Sequence, residues 1–90
     1  MRLVLYQLDM AIAALRVVQQ LKGSADGALR VFFRENRKIG AKDRTFIADT
    51  IFGVLRHFFS LKYITDTTTP RLLIFAYLVK FKGTNLRELT

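Results

Sequence analysis

The run Lys42-Asp-Arg-Thr-Phe-Ile-Ala-Asp-Thr-Ile-Phe-Gly-Val-Leu-Arg-His-Phe-Phe-Ser-Leu-Lys62 decides the fold. Phe46, Ile47, Ile51, Val54, Leu55, Phe58 and Leu61 recur at about 100° per residue, so the spacing predicts one helix from about Lys42 to Lys62 with a single apolar face. Asp43 falls in its first turn, where a carboxylate meets the positive end of the helix dipole. Phe52 and Phe59, beside Arg56, widen the apolar arc to about half the circumference. A helix this apolar needs neighbours on two sides.

Working outward, the flanking segments also read as helices. Leu3 to Lys22 places Tyr6, Met10, Ala13, Ala14, Val17, Val18 and Leu21 at helical spacing, with Gln7, Arg16, Gln19 and Gln20 opposite. Gly23 ends that helix. Ser24 and Asp26 then offer side-chain oxygens to the first backbone N–H groups of a second, short helix with a ridge of Leu29, Phe32 and Phe33, stopping near Asn36. Downstream, Thr65-Asp-Thr-Thr-Thr69-Pro70 is a start signal, with Pro70 at the first helical position. The helix from Pro70 to about Lys82 is apolar almost all round, the pattern of a helix enclosed by others, and Gly83 stops it. Thr84-Asn85-Leu86-Arg87-Glu88-Leu89 resembles a cap and the opening turn of another helix.

No sustained period-two alternation competes, and Asp26-Gly27 sits between helical patterns, not between strands. The expectation is an all-α bundle over 1–90, of about four helices plus the start of a fifth. An enclosed fourth helix needs more partners than three preceding helices supply. The chain is therefore expected to be the leading part of a larger helical domain.

Composition removes most chemistry. A chain of ninety residues buries only roughly 60% of its unfolded surface, and 51% hydrophobic residues including 8 Phe meet that demand. The absence of cysteine excludes disulfides, Cys-ligated zinc and thiolate mechanisms. The longest uncharged apolar run, Leu72 to Val79, falls far short of the ~20 residues of a spanning helix, so no membrane partner is expected. Leu3 to Leu15 imitates a signal peptide, but Gln7 and Asp9 interrupt it and no small-x-small cleavage site follows, which favours a cytoplasmic protein.

The glycines at 23, 27, 40, 53 and 83 fit neither a dinucleotide fingerprint nor a P-loop, so no cofactor site is expected in this chain. His57 stands alone and implies no metal site, and Asp9, Asp43, Asp49 and Asp66 show no pairing suited to acid–base work. The chain is not expected to be an enzyme by itself.

What remains is charge. Fifteen Lys+Arg against seven Asp+Glu leave a net +8. Arg30, Arg34 and Arg37 repeat at i, i+4, i+7, Lys38 and Lys42 continue the stripe round a polar connection, and Arg56 adds to it. Such a stripe is the footprint of a phosphate backbone, since each cation that neutralises a phosphate releases a condensed counterion. The competing reading is a solvated face, and the large uncompensated excess favours nucleic acid. No aromatic alternates with the stripe in an exposed register, so backbone or shape contacts are expected and base stacking is not.

Arg44 points toward the apolar side of its helix at an end where the dipole disfavours a cation. It is expected to form a structural ion pair with a carboxylate that the sequence does not identify, the competing reading being an RNA contact. Gly53 in mid-helix costs about 1 kcal/mol relative to alanine. Either a close helix crossing or simple tolerance accounts for it.

The stretch from Leu29 to Arg56 resembles the leading domain of the Sun/Fmu (RsmB-type) ribosomal RNA cytosine-5 methyltransferases, a NusB-like helical RNA-binding domain. Lys42-Asp43-Arg44, then Phe46, then Phe52-Gly53-Val54-Leu55-Arg56 is similar to that family's Asp-Arg … Tyr-Gly-Val-Leu-Arg segment, with Phe52 in place of the usual tyrosine. Thr69-Pro70-Arg71 and Gly83 to Leu89 are similar in layout.

The resemblance implies an accessory domain that presents ribosomal RNA to a catalytic domain using S-adenosylmethionine. The family's catalytic cysteine has no counterpart here, so its activity maps onto no residue of this chain. The arginine-rich N-terminus that the NusB antiterminator uses for RNA is reduced to Arg2 and Arg16. The stripe at Arg30, Arg34, Arg37, Lys38, Lys42 and Arg56 therefore rests on charge geometry. The implied partners are ribosomal RNA and the methyltransferase domain.

Two other classes compete. One is a protein-interaction module, docking through a Phe52 and Phe59 edge and the fourth helix onto the catalytic domain or a second copy as a homodimer. The other is a helix-turn-helix DNA binder, which the apolar third helix disfavours because it lacks a polar base-reading face.

Overall fold

A computed structural model of the chain describes residues 5–20 and 23–83, and these form five α-helices: α1 (Leu5–Gln20), α2 (Ala25–Glu35), α3 (Ala41–Arg56), α4 (Phe58–Thr65) and α5 (Pro70–Lys82). There is no strand among the described residues, and the protein is an all-α bundle. No helix among them is long and apolar enough to cross a membrane. The turn expected over Thr84 to Leu89, and Leu21 and Lys22 of the first helix, lie outside the described residues.

The expected punctuation is in place. Gly23 has φ 127°, Ser24 caps α2 by accepting a 3.0 Å hydrogen bond from the Gly27 amide, and Asn36 closes α2. Pro70 opens α5 and Gly83, with φ 66°, ends it in the left-handed conformation. Thr69 stands at the N-cap position of α5, although its hydroxyl pairs with that of Thr67 and caps no amide.

The long helix expected from Lys42 to Lys62 is instead two. His57 takes φ −109° and ψ 22°, outside the helical region, and its amide bonds to the Gly53 and Leu55 carbonyls while its own carbonyl accepts from Leu61 to start α4. The imidazole stacks on Phe81 of α5, with centroids 3.9 Å apart and planes 13° from parallel. The turn thus exchanges one helical step for a ring contact with α5, while Phe58 and Leu61 still reach the core.

That core is built where α1, α3 and α5 meet. Leu15, Ile47, Ile51, Val54, Leu73, Ile74 and Leu78 are fully buried, with Leu61 reaching in from α4 and Leu29 and Phe32 from α2. Burying each such side chain contributes about 1.5–3 kcal/mol. The buried stripe of α1 is Leu8, Ala11, Ile12 and Leu15, at i, i+3, i+4, i+7, with Ala14 beside it. This is rotated from the expected face, so Tyr6 is exposed and Met10, Ala13, Val17 and Val18 pack at the margin.

Gly53 marks a close crossing of α3 and α5. A Cβ built on it would overlap the Tyr77 ring, which lies against the bare backbone. At the other end of α3, the Gln7 side-chain amide donates a 2.7 Å hydrogen bond to Asp43 and ties α1 to the first turn.

The molecule measures 31 × 28 × 16 Å. With helices packing roughly 8–10 Å apart, its short dimension holds only two layers. A slab this thin encloses no helix, so α5 is not surrounded as its sequence suggested. Leu73, Ile74, Tyr77 and Leu78 face inward, while Leu72, Val79 and Phe81 are exposed.

Candidate nucleic-acid interface

The basic stripe is positioned by what lies beneath it. Ala28, Leu29 and Phe32 turn one side of α2 into the core, which forces Arg30 and Arg34 outward. Asn36 then ends the helix. Its backbone amide and side-chain amide both donate to the Phe32 carbonyl, and its own carbonyl accepts from Ile39. Ile39 is buried and anchors the connection, leaving Arg37 and Lys38 in solvent.

This turn brings the start of α3 back beside the end of α2. Arg44 donates from Nε to the Ile39 carbonyl at 3.0 Å, and its guanidinium lies 5.6 Å from the centroid of the Phe33 ring. Among the described residues it has no carboxylate partner, so the expected ion pair is replaced by a backbone hydrogen bond and an aromatic face. Both contacts are available to a cation that keeps its remaining N–H groups directed to solvent.

The outcome is an open groove of about 650 Å³ lined by Arg30, Phe33, Arg34, Arg37 and Arg44. Among the described residues its lining holds four guanidinium groups and no carboxylate. A second depression of about 450 Å³ shares Arg34 and Arg37 and adds Tyr6, Glu35, Asn36, Lys38 and Ile39. The one ion pair among the described residues joins Arg30 to Asp26 at 2.9 Å, with both side chains largely exposed (77% and 68%). A pair so exposed contributes at most about 1 kcal/mol and exchanges readily for another anion.

Of the residues singled out from sequence, Arg30, Arg34 and Arg37 share the main groove, and Lys38 lines the adjoining one. Lys42 is exposed on the first turn of α3 but lines neither. Arg56 is at the opposite end of α3, roughly 18 Å from Arg44 at 1.5 Å per residue, and is not brought to the groove. Arg44 joins the groove without the expected ion pair among the described residues, as the alternative reading of it allowed. The usable signal was the brevity of the connection after Asn36, which returns the start of α3 to the arginine face of α2.

Phe33 supplies apolar floor, with the Arg44 guanidinium 5.6 Å from its ring centroid. The Phe52 and Phe59 edge does not form one surface. Phe52 lies with Phe33 and Ala48 beside the arginine groove, and Phe59 lines a separate groove beyond the break at His57.

No family model, no curated protein and no solved structure matches this chain. What the groove does has to follow from its own chemistry.

Proposed function

We propose that this chain is an RNA-binding accessory domain that grips the phosphate backbone through the groove between α2 and the start of α3. The observation that carries this reading is the convergence of Arg30, Arg34, Arg37 and Arg44 on one groove without a lining carboxylate among the described residues. Guanidinium groups present paired N–H donors matched to phosphate oxygens, and four in one groove release several counterions when an anionic backbone enters. Contacts of this kind read backbone and shape, not base identity.

The resemblance of the Lys42 to Arg56 segment to the Sun/Fmu family extends the proposal. The parent activity would be S-adenosylmethionine-dependent cytosine-5 methylation of ribosomal RNA in the cytoplasm, with the transfer performed by a catalytic domain outside this chain and the NusB-like bundle delivering substrate. Asp43 and Gly53, two residues of the shared motif, have packing roles in this bundle. Asp43 ties α1 to α3, and Gly53 admits Tyr77.

The test is a titration of structured ribosomal RNA against duplex DNA of equal charge at several salt concentrations. A steep fall of log K with log salt, with RNA preferred, is the expected result. Weak binding that is equal for both reduces the groove to a solvated face and overturns the proposal.

A further inference from the structure

The surface furthest from explanation lies on α4 and α5. Phe59 is 84% exposed and Tyr63 is 90% exposed, one helical turn apart on α4. With Ser60, Ile64 and Lys80 they line a groove of about 360 Å³. Phe58, half-buried against the core, meets Phe59 edge-on at 5.7 Å. The Lys80 ammonium is held 5.9 Å from the centroid of Phe81, at the margin of the groove.

We propose that this groove is a stacking platform for an unpaired RNA segment, Phe59 and Tyr63 each taking a base face and Lys80 the phosphate between them. The inference rests on the RNA-binding reading and assigns this second surface the contact with bases that the arginine groove lacks. Charge selects the occupant. Lys62 and Lys82 are exposed on the same two helices, and among the described residues no carboxylate lines the groove. A second copy of the chain would bring a like charge of +8 toward this one. Exposed aromatic rings beside lysines match a single strand, because every base offers a π-face and every step carries one negative charge. The rings lie roughly 6 Å apart along the helix axis, which leaves each face separately accessible.

The experiment measures binding of a fluorescein-labelled oligoadenylate single strand and of a blunt RNA duplex, by anisotropy at one fixed salt concentration. Phe59→Ala, Tyr63→Ala, Tyr63→Phe and Arg34→Glu/Arg37→Glu are compared with the unaltered chain. The expected result is a loss of at least about fivefold for the single strand with each alanine variant, retention with Tyr63→Phe, and duplex affinity unchanged within about twofold. Tyrosine emission is also expected to be quenched by the single strand and less so in Tyr63→Ala. Both substituted side chains are exposed, and unchanged far-UV circular dichroism confirms that each variant folds.

Single-strand affinity that survives both alanine variants but falls with Arg34→Glu/Arg37→Glu overturns the platform and leaves the arginine groove standing. Affinity indifferent to every variant overturns both. Alanine variants that convert a sedimenting dimer to monomer without changing RNA affinity identify a second copy as the occupant and likewise overturn the platform.

Discussion

Replacing Gly53 with alanine tests the packing of α3 on α5. Away from other contacts, Gly→Ala in mid-helix stabilises by about 1 kcal/mol. Here the new methyl would enter the Tyr77 ring. That ring is poorly placed to yield: it is 6% exposed, and it lies 5.9 Å from Phe81 and 6.3 Å from His57 in the same aromatic stack. Overpacking of this kind costs about 1–3 kcal/mol. The net effect of Gly53→Ala is therefore a loss of up to about 2 kcal/mol, and a loss of 1 kcal/mol lowers the melting temperature by about 4–8 °C in a domain of this size.

Tyr77→Leu removes the ring and keeps an apolar side chain. In that background the same Gly53→Ala change is expected to stabilise, by up to about 1 kcal/mol, because only the helix-propensity term remains. Chemical denaturation followed by far-UV circular dichroism measures all four chains of the cycle. Equal effects of Gly53→Ala in the two backgrounds, within about 0.5 kcal/mol, would refute the close approach.

Other substitutions address separate features. Ser24→Ala deprives the Gly27 amide of its acceptor and is expected to lower stability by about 1 kcal/mol in the same denaturation assay. Asp66 ends α4 in the left-handed conformation at φ 52°, so Asp66→Gly is expected to raise stability by up to about 1 kcal/mol. A lower value would show that the Asp66 side chain contributes more than its strained backbone costs. For RNA, Arg34→Glu/Arg37→Glu is expected to reduce the magnitude of the log K against log salt slope by about 1.5. An unchanged slope would mean that neither side chain touches phosphate.

The local signals in the sequence were the legible ones. Ser24, Pro70 and Gly83 act on their own backbone or on amides within a turn, so their effects depend on few distant atoms. The break at His57 was hidden because Ile47, Ile51, Val54, Phe58 and Leu61 keep four-three spacing straight through it. The ring stacked on His57 at the break comes from α5, far away in sequence. The face of α1 was misread for a related reason: with only Asp9 and Arg16 charged along its described length, burial is decided by what α3 and α5 present. In the candidate interface, spacing along α2 was enough for Arg30, Arg34 and Arg37. Arg44 reaches the groove through the return of the chain at Ile39, while Lys42 and Arg56 do not line it.

The small anchorage of α4 has a consequence for hydrogen exchange. Of its eight residues only Leu61 is buried, whereas α1, α3 and α5 share most of the core. Its amides can open by releasing that one side chain and Phe58, without parting the other helices. Deuterium should therefore enter α4 through a sub-global opening, well before it enters α3, with Leu61 and Asp66 among the first hydrogen-bonded amides to exchange. A molecule seated on Phe59 and Tyr63 would close that opening, slowing exchange in α4 and leaving the slowest amides of α3 to report global unfolding.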